Sequence, residues 1–220
     1  MPWFGNIEAK HILVATVGLN PSWSEFVTEE KTWRDAKDRL PALNDVGAKL
    51  RGDISGKQSD QIAETRKIYF TTDERNPHPW FKVLQGVMCA GEMNCSYENG
   101  TAVHLDLVAC ATWHEWSKLH ADAKDVLVRK CFPKFANTVS KLPSAALLLL
   151  DGRTVFETIK TRCDVEVSVQ EEVGGNPSLE VWRGKLSAEF GGRDFLAWSN
   201  PVNRQINQQP LVDWLRRQAR

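Results

Sequence analysis

Four apolar runs punctuate the chain: Ile12–Val17, Val103–Ala109, Ala145–Leu150 and Phe195–Trp198. Short, nearly continuous runs of this kind fit strands buried on both faces of a parallel sheet, because a half-exposed strand alternates apolar and polar residues. Between them, Trp80–Cys89, Ala123–Ser140 and Arg153–Thr161 carry helical spacing. A closing helix over Pro210–Gln218 starts at a proline suited to a first helical turn. Strands alternating with helices predict an α/β fold, a three-layer sandwich around a central, mainly parallel sheet of four strands. From Val165 to Phe190 the pattern changes to alternation around Gly174-Gly175-Asn176-Pro177, which predicts an inserted β-hairpin near 165–190. Arg51–Arg75 is polar and mixed in charge and reads as a loop or a surface helix.

A length of 220 residues with 42% hydrophobic content suffices for a full core, and no Pro/Gly/Ser-rich linker divides it, so one domain over 1–220 is expected. The 28 basic residues balance 28 acidic ones, so any contact with nucleic acid must come from a local patch. Five dispersed cysteines without a CxxC pair predict reduced thiols and no zinc ribbon. The first ten residues lack a basic-then-apolar leader pattern, and Ala145–Leu150 is too short to span a bilayer. The expectation is a cytoplasmic monomer with no membrane contact.

Chemistry gathers where two of the runs stop. Ile12–Val17 ends in Gly18-Leu19-Asn20-Pro21-Ser22, and Phe195–Trp198 ends in Ser199-Asn200-Pro201-Val202-Asn203-Arg204-Gln205. Open α/β sheets place ligands at the carboxyl ends of their strands, so two Asn-Pro loops facing one crevice would form a site. Either asparagine also has a plain structural reading, as a cap or a solvent turn. Of the nine tryptophans, Trp198 and Trp214 are expected in the core. Trp23, Trp80, Trp113 and Trp116 are expected beside the carboxyl edge, as base-stacking surfaces or as core filling.

These residues resemble the uracil-DNA glycosylase superfamily. The resemblance rests on Gly18–Ser22 as a first motif, Asn200–Arg204 as a second, and the strand Leu105-Asp106-Leu107-Val108-Ala109-Cys110 between them. It implies a sheet of that family's type and a base-excising hydrolase that flips a nucleotide out of DNA and lets water attack the sugar carbon. In that role Asn20 holds the water, helped by Gly18, Leu19 and Pro21 around it. A neutral amide orients water without acting as a strong base, so rate must come from geometry and from stabilising the departing anionic base. Asn200 is the donor toward that base, and Val202, Asn203 and Arg204 form a wedge into the minor groove. Phe26, or else Trp33, stacks on the flipped base, and the rigid loop Asn76-Pro77-His78-Pro79-Trp80 presses on the DNA backbone through His78. His114 and Glu115 read as an acid/base pair or as a solvated loop.

Asp106 departs from the family pattern, since many uracil-excising relatives carry Asn there. An ionised carboxylate accepts from the N4 amino group of cytosine, which tilts the expected substrate from uracil to a cytosine-type base. On a buried strand it needs a partner, for which a base amino group, His104, Trp113 or a loop N–H are the candidates. Ser22, where relatives often have Tyr, leaves room at C5. Together they suggest a C5-modified cytosine, as in the antiphage branch that removes glucosylated hydroxymethylcytosine. A uracil or mismatch repair glycosylase and a non-catalytic module that binds modified DNA remain the alternatives. A nucleotide- or sugar-modifying α/β enzyme would want a Gly-rich phosphate loop after the first strand, and only Gly18 is there. Neither a metal nor a cofactor is expected.

Overall fold

The computed structural model describes residues 3–21, 23–28, 30, 32–35, 39, 42–48, 53–71, 78–174, 178–202 and 207–219. The strands are Trp3–Phe4 (β1), Val14–Gly18 (β2), Ala102–Asp106 (β3), Leu147–Asp151 (β4), Val165–Val173 (β5), Leu179–Leu186 (β6) and Asp194–Trp198 (β7). They form one sheet in the order β1-β3-β2-β4-β7-β6-β5. The expected four-stranded, mainly parallel sheet is thus corrected to a mixed sheet of seven strands. The four apolar runs make its parallel centre, β3-β2-β4-β7, while β1 and the β5–β6 hairpin add antiparallel strands at the two edges. Alternation over 165–190 predicts the hairpin strands but not their pairing with the central sheet, and β1 offers no period at all. β1 is two residues long, and β5 is an edge strand with most of its residues exposed.

The helices are Gly56–Lys67 (α1), Pro79–Ala90 (α2), Ala121–Lys141 (α3), Arg153–Lys160 (α4) and Gln209–Gln218 (α5). Successive strand residues point to opposite faces, so the sheet divides two cores. Ala15, Val17, Val103, Leu105, Leu148 and Leu150 pack on one face with Phe135 and Val139 of α3 and Phe156 and Ile159 of α4. Val14, Ala102, Leu149 and Leu196 pack on the other with Leu84 and Met88 of α2 and Leu211 and Trp214 of α5. Burial on both faces is why the central runs are nearly continuous in apolar residues and do not alternate. The stretch between the first strand and α2 that reads as loop or surface helix contains α1. Its N-terminus is set by a capping box in which Ser55 and Gln58 satisfy each other's backbone N–H groups. No helix among the described residues is long and apolar enough to cross a membrane.

The parallel register levels the strand ends: Gly18 pairs with Asp106, and Asp151 with Trp198. Each of the four central strands therefore releases its chain at the same edge of the sheet, and that edge carries the site.

Candidate active site

A cleft of about 1020 Å³ opens at this edge. Each central strand contributes to it: Gly18–Pro21 follow β2, His104 and Asp106 end β3, Asp151 ends β4, and Ser199, Asn200 and Pro201 follow β7. The site thus brings together Gly18, Leu19, Asn20, Pro21, His78, Asp106 and Asn200.

Asn20 is held by its amide nitrogen. Nδ2 donates to the carbonyl oxygens of Pro21 (3.1 Å) and Cys110 (3.4 Å) and to Thr112 Oγ1 (3.3 Å). These bonds tie the loop after β2 to the loop after β3 and fix the orientation of the amide. They leave Oδ1 as an acceptor that can orient a water. Gly18 is required by close approach. A Cβ there would meet the His104 ring at 3.0 Å and Asp106 Oδ1 at 3.4 Å.

The floor is polar and enclosed. Asp106 is 2% exposed, and its Oδ1 lies 3.4 Å from His104 Nε2. His104 Nδ1 in turn lies 2.9 Å from Thr16 Oγ1, which is 2.6 Å from the buried Tyr97 hydroxyl. Burial holds the Tyr97 phenol well above its ordinary range, so it stays a neutral hydroxyl at the head of this chain. Asp106 Oδ2 is buried and has no hydrogen-bond partner among the described residues. An orphaned carboxylate oxygen costs desolvation energy that a ligand donor would recover.

Asp151 is the second buried carboxylate. Burial raises it from 3.8 to about 6, against the lowering effect of the Trp198 indole, the Val202 N–H, His104 and the Trp80 indole. Its Oδ1 accepts from Trp198 Nε1 at 2.6 Å and from Val202 N–H at 2.9 Å. The Arg153 N–H also donates to Ser199 O at 2.9 Å. The loop carrying Asn200 is thereby clamped onto the end of β4. Gly152 between the two anchors has φ 105°, and a Cβ there would press on the Pro201 ring at 2.9 Å.

The walls are aromatic. Trp80 and Phe81 of α2 and Phe4 of β1 surround the His104 ring at centroid distances of 4.9, 5.1 and 5.6 Å. His78 caps α2, its Nδ1 accepting from the Trp80 N–H, and its Nε2 lies 3.0 Å from Ser24 Oγ. Burial, then the charge of Arg34, lowers its basicity. At the rim, Trp23 and Trp113 lie 4.8 Å apart, and Trp113 is 61% exposed. His114 and Glu115 line the same rim and are exposed.

Two expected roles are corrected. Val202 is fully buried on the α2 side of the sheet and cannot be a groove-entering wedge. Phe26 packs against the same core and does not line the cleft, whereas Trp23, in ring contact with it at 6.1 Å, does. Trp33 is exposed and lies outside the lining as well. Ser22, Asn76, Pro77, Asn203 and Arg204 lie outside the described residues. Asp151 is a site residue that the sequence reading missed, although a carboxylate and a glycine directly after four leucines mark a strand end.

No group of three or more His, Cys, Asp or Glu placed to hold a metal ion occurs among the described residues. Comparison of the chain with protein families, curated proteins and solved structures finds no match.

Proposed function

We propose that the chain is a monofunctional DNA glycosylase that flips a C5-modified cytosine into the cleft and hydrolyses its glycosidic bond, leaving an abasic site. The observation that carries this reading is the convergence of Asn20, Asp106 and Asn200, from three strand ends far apart in sequence, on one cleft with an orphaned carboxylate oxygen in its floor. Asn20 Oδ1 accepts from the attacking water and aims it at the sugar carbon. Asp106 accepts from the N4 amino group, and Asn200 donates to the leaving base as the bond breaks.

A volume of about 1020 Å³ admits a nucleotide with a bulky C5 substituent, in keeping with a glucosylated hydroxymethylcytosine and a role against phage DNA. The walls of Trp80, Phe81 and Phe4 suit a planar ring, and the exposed Trp113 suits a neighbouring base. The reading includes DNA as partner, a monomer, and a cytoplasmic setting.

The test is incubation with DNAs carrying uracil, thymine mismatches, hydroxymethylcytosine or glucosylated hydroxymethylcytosine, followed by mass analysis of released bases and alkaline nicking. Release of a cytosine derivative with alkali-sensitive sites is expected. Uracil alone released would return the chain to repair glycosylases, and binding without release would make it a recognition module.

A further inference from the structure

Asp106 meets a cytosine edge that offers two groups side by side, the N4 amino donor and the N3 acceptor. An ionised carboxylate matches only the first, and its other oxygen faces the N3 lone pair. One proton repairs the mismatch. We infer that Asp106 carries that proton on Oδ2 and delivers it to N3 of the flipped base, acting as the acid of the reaction proposed above, on which this step rests.

The two oxygens are already unlike. Oδ1 faces His104 Nε2, whose ring is held through Nδ1 by Thr16 and, behind it, Tyr97. A His104 Nε2–H marks Oδ1 as the acceptor, and its second lone pair takes the N4–H. Oδ2 is enclosed with no partner among the described residues, so a hydroxyl there has the base as its recipient. The titratable group beside the carboxyl is His104 on its own strand, with Tyr97 behind Thr16. The cleft is lined as well by Asp151, His78, Glu25, His114, Glu115, Lys124 and Arg153, while β1 and β2 contribute none. A base departing as an anion would leave toward a floor that carries two carboxyl groups, and like charges in an enclosed site repel strongly. Protonation at N3 removes that conflict.

The step balances. The Asp106 O–H gives its proton to N3, the C1′–N1 bond breaks with its electron pair going to N1, and the base leaves neutral as its N3–H tautomer. The sugar cation takes the water held by Asn20, and the proton lost from that water returns the carboxylate to its acid form. Asn20 can then be a weak water ligand because the leaving group is already activated.

The experiment is single-turnover release of hydroxymethylcytosine and of its glucosylated form between about pH 5 and pH 9. It uses the wild-type chain, Asp106→Asn, and wild type on the matching 3-deaza substrates, in which N3 is a C–H. Wild-type release is expected to fall about tenfold per pH unit on the alkaline side. Asp106→Asn, whose amide keeps one donor and one acceptor, should bind the substrate DNA and release it at least about a hundredfold more slowly, without that slope. The 3-deaza substrates should be bound and left intact by the wild-type chain, a result that needs no variant to fold. Release of the cytosine derivatives with a flat pH profile, or equal release from the 3-deaza substrates, overturns proton delivery and leaves the glycosylase reading standing. Release of no cytosine derivative overturns both.

Discussion

The floor and the rim of the cleft are built on opposite principles. His104, Asp106 and Asp151 are strand residues, at most 5% exposed, each fixed by a parallel neighbour on the sheet, His104 and Asp151 also by hydrogen bonds and Asp106 by its contact with His104. Trp113, His114 and Glu115 sit on an irregular loop after β3, where Trp113 is 61% exposed and touches Trp23 through a single ring contact. Groups that must discriminate one hydrogen at one atom belong on rigid elements, because a small misplacement removes the discrimination. Groups that only offer a flat face tolerate mobility, since stacking is insensitive to base identity. Changes at the floor should therefore alter chemistry and specificity, and changes at the rim should alter affinity.

The largest effect is expected at the residues proposed to hold the water and the base. Asn20→Ala and Asn200→Ala should each slow base release by roughly ten- to a thousandfold, with binding of the same DNA retained. Wild-type single-turnover rates in both variants would remove the claim of the two Asn-Pro loops to the chemistry.

Asp151 supplies a test that does not depend on any substrate. Its carboxyl is raised from 3.8 to about 6 in the folded protein, so the protonated form favours folding. That contribution is complete below about pH 4 and is lost as pH rises through about 6. Asp151→Asn removes the titration. The difference in unfolding free energy between variant and wild type should shift in the variant's favour by on the order of 3 kcal/mol between pH 4 and pH 7. Denaturant unfolding at both pH values reads it, and a pH-independent difference would show that the carboxylate is not enclosed. Because Asp151 also clamps the Val202 N–H, the same variant probes how firmly the Asn200 loop is held.

The same contrast explains what could be read in the sequence. The central strands were legible because burial on both faces leaves nearly continuous apolar runs in β2 and β4. The flanking helices follow from their spacing, with α3 and α4 displaced from the expected limits by a residue or two. β1 and the pairing of the hairpin with β7 depend on contacts distant in sequence, which no local period encodes. Within a fully buried strand there is also no alternation to say which face a residue takes, so His104 appeared only as a candidate partner of Asp106. Val202 was misread because a loop motif does not reveal which of its side chains folds inward.

The specificity of the floor should sharpen next. Asp106→Asn withdraws the proton that the carboxyl would deliver to N3 of cytosine, while its amide still matches the donor and acceptor of the uracil edge. A good bidentate contact discriminates by about 1–3 kcal/mol, so the ratio of modified-cytosine to uracil excision should fall by roughly five- to a hundredfold or more. Competition between the two substrates in one reaction measures the ratio directly. An unchanged ratio would make Asp106 a structural partner of His104 and nothing else.

The smallest effect belongs to the rim, and it is the one that separates the two regions. Trp113→Ala removes the most exposed aromatic face at the cleft mouth, leaving Trp23 in place. Stacking on one base contributes about 1–3 kcal/mol, and an exposed ring on a loop belongs at the low end of that range. Affinity for a single-stranded oligonucleotide without any modified base should therefore fall about fivefold, read by fluorescence anisotropy. Single-turnover release at saturating DNA should stay within about twofold of wild type, because no group of the floor moves when the ring is removed. A variant that binds normally but releases base a hundredfold more slowly would place Trp113 against the reacting nucleotide and erase the division between a floor that reacts and a rim that holds.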